Sequence, residues 1–153
     1  MNELRDNSDV GELIQYIVIK IDDEQYGINI KFIDNIVRMQ QITGVPKVDP
    51  YLKGVINIRG EIVPVMSVRM KMGLDEDEIT NKSRIIILKL EQYGMVGIVV
   101  DEVREVVTLE ESKVEKVSAD NTAEHQLFVS SVGKCEAGLI SLLDLNAVVA
   151  EKE

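Results

Sequence analysis

The sequence predicts a mainly β protein of small barrels or a sandwich, not a βαβ sheet. Three observations predict it. Apolar residues make up 45% of the 153, and they are rich in Val and Ile, which fit pleated, half-buried strands. Turn signals return about every ten residues. Glu24-Gln25-Tyr26-Gly27 returns as Glu91-Gln92-Tyr93-Gly94, each time after an apolar strand, VIKID or IIILKL. The same displacement aligns Ile28 with Met95 and Asp34 with Asp101. The chain therefore reads either as two copies of one strand–turn–strand unit, whose packing would leave a groove between them, or as two hairpins alike only in composition.

Residues 1–12 are polar and expected to be flexible. LIQYIVIKID alternates as a strand, DEQYG is read as the turn, and YGINI as the next strand. KFIDNIVRM carries on through one helical turn, and TGVPKVDPYLKG is a loop by its prolines and glycines. GVINIRGEIVPVM is a hairpin turning at Arg59-Gly60. Pro64 has no N–H, so its strand should be an edge or bulged there. Ser67 is placed to N-cap a short helix, SVRMKM, which Gly73 stops. LDEDEITNK is an acidic connector. SRIIILKLE and GMVGIVVDEV pair, REVVTLEESKVEKV begins as a strand, and SADNTAEHQ is a loop. LFVSSVGK and AGLISLL pair around Cys135-Glu136, and Asp144 caps a C-terminal helix.

The composition excludes several functions. Net charge is −10 and there is no Trp, which opposes a nucleic-acid partner of the OB type. One Cys and one His make neither a disulfide nor a Cys/His zinc site. The start lacks an apolar signal core, and no apolar run approaches the ~20 residues of a membrane helix. The expectation is a soluble cytoplasmic protein without direct membrane insertion. His125 sits in a polar loop, Cys135 at a turn, and the acidic connector lacks the glycine and spacing of a calcium loop. No nucleophile–base pair or metal cluster is visible, so the chain reads as a binding module rather than an enzyme, with no cofactor. The competing reading is a small-ligand barrel or an enzyme using Cys135 or His125.

YGINI, then VPKVDPYLKGVINIRGEIVPVMSVRMKMG, then MVGIVVDEVREVVTLEES resemble, in order and spacing, the CheW family of bacterial chemotaxis coupling proteins. The resemblance runs from Leu13 to Val149, and KGVINIRGEIVPV is its most specific part. It implies two intertwined five-stranded SH3-like barrels sharing an apolar core. The first barrel would span roughly 13–72 and the second 83–144, with a short helix after the first barrel's hairpin and a C-terminal helix at about 144–151. It also implies a non-catalytic adaptor, monomeric when isolated, that bridges chemoreceptor cytoplasmic tips to the regulatory domain of the histidine kinase CheA in membrane-associated arrays. A CheW-like scaffold for such a kinase in another pathway is the alternative.

By the same resemblance Arg59 matches the arginine of the family's N-[LI]-R-G motif, beside the receptor groove. It is either presented to a partner or braces its own hairpin through an ion pair. The matching groove wall is Ile85, Ile86, Gly97, Val99, Val103 and Val106, with core as the alternative for each. The kinase-facing barrel end matches Ile30 and Ile33, with Asp34 and Asn35 at the rim. The family commonly carries glutamate at the position of Asn35 and aspartate at that of Ser67.

Overall fold

The computed structural model describes residues 12–116, 128–136 and 138–150. Most of the expected flexible start, the loop at 118–126 with His125, and the end of the C-terminal helix at 151 lie outside the described residues. The elements are β1 (Leu13–Ile21), β2 (Glu24–Asn29), β3 (Ile33–Arg38), β4 (Leu52–Ile58), β5 (Glu61–Ser67), α1 (Val68–Lys71), β6 (Arg84–Leu90), β7 (Gly94–Val100), β8 (Glu102–Glu110), β9 (Val114–Lys116), β10 (Val129–Cys135), β11 (Gly138–Leu143) and α2 (Leu145–Val149). Short 3-10 turns at Ile30–Phe32 and Glu111–Lys113 lead into β3 and β9.

The strands form a six-stranded sheet, ordered β8-β1-β2-β11-β10-β9, and a five-stranded sheet, ordered β3-β6-β7-β5-β4. Neither sheet is built from one half of the chain. The β1–β2 hairpin stays in the first sheet, and β3 then crosses to pair with β6 of the second. The β6–β7 hairpin stays in the second sheet, and β8 crosses back to pair with β1. Parallel contacts of β2 with β11 and of β7 with β5 complete the match. Residues 13–72 and 83–144 each give strands to both sheets.

Three apolar clusters follow from this layout. Ile56, Val63, Val65, Ile85, Ile87 and Val99 form one. All six come from β4 to β7, so the five-stranded sheet curls around its own side chains. The backbone bridge between Thr43 and Val55 joins the run after β3 to the β4 edge. Tyr16, Val18, Leu109, Ile140 and Leu142 do the same within the six-stranded sheet. A third, larger cluster lies between the sheets and takes residues from both, including Ile17, Ile19, Ile28, Ile86, Ile98 and Leu143. Each fully buried Ile or Val here contributes roughly 1.5–3 kcal/mol by leaving water.

The repeat is real in topology, but its most visible motif is displaced. Glu24-Gln25-Tyr26-Gly27 lies inside β2, and the turn before it is Asp22-Asp23 rather than DEQYG. Glu91, Gln92 and Tyr93 form the turn before β7. The positions that match in space are Gly27, opposite Val18 and beside Leu142, and Gly97, opposite Ile87 and beside Val65. A Cβ on Gly97 would lie 3.0 Å from Ile85 Cγ2 and 3.3 Å from Val65 Cγ2. Gly97→Ala is expected to destabilise the protein by about 1–3 kcal/mol through overpacking, measured as a lower midpoint in urea unfolding.

Pro64 shows how local rules survive in context. Its strand is interior to the sheet, but pairing with β7 begins only at Val65. Val55, opposite Pro64, turns its N–H and C=O to Thr43 instead. The missing N–H is thus at a locally unpaired edge. Ser67 caps α1 by accepting from the Met70 N–H at 3.1 Å, and Asp144 caps α2 by accepting from the Ala147 N–H at 3.2 Å.

Candidate functional site

The β4–β5 hairpin is fixed from Leu52 to Ser67, and its register pairs Ile58 with Glu61. Only Arg59 and Gly60 remain to turn the chain. Both have positive φ, 50° and 87°, as a tight two-residue hairpin turn requires. Asn57 Oδ1 accepts from the Gly60 N–H at 3.0 Å and braces the turn. The turn puts Arg59 in the left-handed region, which a side chain other than Gly adopts at some strain.

The guanidinium is 73% exposed, with Nη2 3.4 Å from Asp34 Oδ2. Asp34 is the extra residue of a bulge in β3, between the pairs Ile33–Leu88 and Asn35–Ile87. A bulge frees its residue from the ladder and re-aims its side chain, and here it meets the arginine. An exposed pair of this kind stabilises a fold by at most about 1 kcal/mol. One contact also leaves most of the five guanidinium donors to other acceptors. Arg59 is therefore paired within the chain, to β3 rather than to its own hairpin, and also exposed to solvent. The pair joins one residue expected at the receptor site with one expected at the kinase site.

The other kinase-site residues gather beside it. Ile30 is exposed on the 3-10 turn, which Asn29 caps by accepting from the Lys31 N–H at 3.0 Å. Ile33 is half-buried against the shared cluster. Asn35 Oδ1 accepts from the Ile36 N–H at 2.8 Å, a local bond that needs no charge.

The expected groove wall is largely buried in the free chain. Ile85, Ile86, Gly97 and Val99 are all buried, the first two completely. β6 lies inside its sheet with one face on that sheet's own cluster and the other on the shared one, so adjacent residues Ile85 and Ile86 are both core. Such a strand reads as a continuous apolar run and hides which side, if any, faces a partner. Gly97 makes room for Ile85 and Val65 of its own sheet. Val103 is half-buried against the shared cluster. Val106 is 51% exposed, but in the other sheet, at a hollow of about 390 Å³ with Cys135.

Two features escaped the sequence reading. Ile62, three residues after Arg59, is 63% exposed on the same hairpin. Alternation with the buried Val63 and Val65 would have found it. The second is a groove of about 600 Å³ between α2 and the five-stranded sheet, lined by Tyr51, Leu52, Met66, Tyr93, Val96 and Val149 among others. Its residues come from a loop, a turn and four separate elements, so no local pattern announces it.

A buried lysine supports that groove. Lys71 of α1 donates from Nζ to the Val148 carbonyl at 2.7 Å and also to the Ala150 carbonyl. The ammonium lies 4.7 Å from the Tyr51 ring centroid and 5.9 Å from that of Phe128. Two residues earlier on α1, Arg69 bonds Asp101 at 2.9 Å and approaches Asp22 at 3.5 Å, tying the helix to the β7–β8 crossing between the sheets and to the β1–β2 turn. Among the described residues, no group of three or more His, Cys, Asp or Glu could hold a metal ion, and no helix is long and apolar enough to cross a membrane.

The family model for the CheW-like domain matches residues 15–153. The chain is 35% identical to the chemotaxis protein CheW of Bacillus subtilis over 133 residues, covering 87% of this chain and 85% of that one. It is 26% identical to the CheW of Thermotoga maritima over 137 residues, 90% and 88% of the two chains. The crystal structure of the scaffolding protein TtCheW from Thermoanaerobacter tengcongensis superposes with a TM-score of 0.84 at 26% identity, covering 92% of this chain and 95% of that one.

Proposed function

The chain belongs to the CheW-like family, and from that premise we infer that it is a non-catalytic chemotaxis adaptor. It couples the cytoplasmic tip of chemoreceptors to the histidine kinase CheA and is recruited from the cytoplasm to receptor arrays. The observation that carries this reading is the presentation of Arg59: a tight turn holds it at a hairpin tip, braced from behind by Asp34, with most of its donors outward. That is the geometry of a recognition group, because a rigid guanidinium loses little freedom on bonding a carboxylate or carbonyl.

In this reading the receptor tip contacts Arg59 and Ile62, with Val103 and Val106 as secondary candidates. The buried Ile85, Ile86, Gly97 and Val99 act behind that surface by holding the sheet in shape. The kinase's regulatory domain takes the neighbouring end at Ile30, Ile33, Asp34 and Asn35. Because Asp34 touches Arg59, the two surfaces adjoin.

The test is one titration with a receptor tip fragment and one with the CheA regulatory domain, each with wild type and Arg59→Ala. Loss of charge-assisted bonds at the receptor should cost about 1.5–3 kcal/mol, roughly a 10- to 150-fold weaker Kd, with kinase affinity within about twofold of wild type. Equal losses for both partners would merge the two surfaces. No binding of either partner by a folded wild-type protein would remove the adaptor reading.

A further inference from the structure

The connector at 74–82 carries an inversion. Asp77 turns inward, with both carboxylate oxygens out of contact with solvent and without a hydrogen-bond partner. Ile79, two residues on, is 54% exposed. A charged carboxylate without a partner is strongly disfavoured away from water, and an exposed isoleucine gains nothing there. Local choices that contradict the fold in this way mark a segment with a second arrangement within reach.

The connector's ends are pinned and its middle is not. The Leu74 N–H bonds the Arg69 carbonyl at 2.8 Å, and Arg69 Nε bonds the Asp75 carbonyl at 3.2 Å. At the far end the Thr80 N–H bonds Ser83 Oγ at 2.9 Å and the Ser83 N–H bonds the Thr80 carbonyl at 3.2 Å. Between them, among the described residues, the side-chain tie is an exposed pair of Glu76 with Lys53 at 3.5 Å. The groups facing Asp77 are Ser67 at the end of β5, Lys53 of β4, Arg69 of α1 and Asp101 between β7 and β8. Arg69 is engaged by Asp101 and Asp22, and Lys53 by Glu76. The Ser67 hydroxyl is near, but its geometry completes no bond to either oxygen.

We propose that the connector is a proton-operated strap: it lies against Ser67 and α1 while Asp77 is protonated, and it swings out when Asp77 ionises. The proton passes to solvent, and the carboxylate follows it into water. Burial pushes the Asp77 carboxyl above the ordinary carboxylate range. Asp101 adds to this, while Ser67, Lys53 and Arg69 pull the other way without reversing it. The sign follows. The docked strap holds the proton more tightly than the released one, so docking is strongest below the ordinary Asp value of about 3.9 and weakens as pH rises through the raised one.

Hydrogen exchange of the full chain by mass spectrometry, corrected for intrinsic exchange at each pH, tests this between pH 4 and pH 7. Peptides covering 74–80, which carry the bonded Leu74 and Thr80 N–H groups, should lose protection about fivefold or more as pH rises, while β6 peptides change little. Asp77→Asn and Asp77→Ser, which cannot ionise, should each flatten the profile. A wild-type connector whose protection does not change over this range would overturn the proposal. So would either folded variant following the wild-type profile.

Discussion

Ile33→Asp is expected to weaken binding of the CheA regulatory domain by at least about a hundredfold. Ile33 enters β3 directly from the 3-10 turn, opposite Leu88, and rests half-buried on the shared cluster. Ile30, on the 3-10 turn just before it, is exposed, and interfaces draw most of their energy from a few apolar anchors. A carboxylate there stays wet in the free protein but loses its water when a partner closes over it. An uncompensated buried charge costs about 3–5 kcal/mol, enough for the expected loss. Asp34 next in the chain adds like-charge repulsion. Calorimetry of wild type, Ile33→Ala and Ile33→Asp should give a graded loss, with a melting curve to show that each variant folds. A folded Ile33→Asp with wild-type affinity would remove this end from the kinase interface.

The second large effect is on stability. Lys71→Ala is expected to destabilise the protein by about 3 kcal/mol. The change leaves the Val148 and Ala150 carbonyls without the ammonium, at about 1–3 kcal/mol for each buried acceptor without a new partner. It also removes the cation from the Tyr51 and Phe128 rings and opens a space where the stem packed. For a chain of this size the expected fall in Tm is roughly 6–12 °C. Lys71→Met keeps the stem volume but not the donors, so it should recover only part of the loss. If both variants melt with wild type, Lys71 is not what holds α2. Because Val149 lines the groove, any partner that uses the groove should also bind these variants more weakly.

Much of this was legible in the residues. Hairpins, both helix caps and the Arg59-Gly60 turn depend on neighbours within a few positions, where dihedral preference and side-chain bonding decide the outcome. The exposure of Arg59 was legible for the same reason. Its tie to Asp34 was not, because it depends on a bulge in a strand that packs through β6. β6 itself misled: RIIILKL has no alternation because both its faces are covered, so Ile85 and Ile86 looked like candidates for contact and are core. Glu-Gln-Tyr-Gly misled differently. Two hairpins with turns of unequal length place the same four residues in a strand once and largely in a turn the other time. Strand exchange left no local trace, because a strand that crosses between sheets needs the same side-chain pattern as one that does not.

That exchange governs how the chain can be made. The six-stranded sheet needs β1 and β2 from the start of the sequence and β8 to β11 from its end, and the five-stranded sheet needs β6 and β7 before β3 has a partner. A polypeptide emerging from the ribosome therefore holds unsatisfied strand edges until β8 to β11 have appeared. Pairing over such separations is slow, because loop closure precedes any gain from contact, and exposed edges invite aggregation meanwhile. The first half expressed alone has no partner for β3 and none for the outer edge of β1, so it is expected to stay unfolded, with a circular dichroism spectrum lacking strand signal. The two halves, separated within the connector and produced together, are expected to reassemble, since the bonds that complete each one lie in the other.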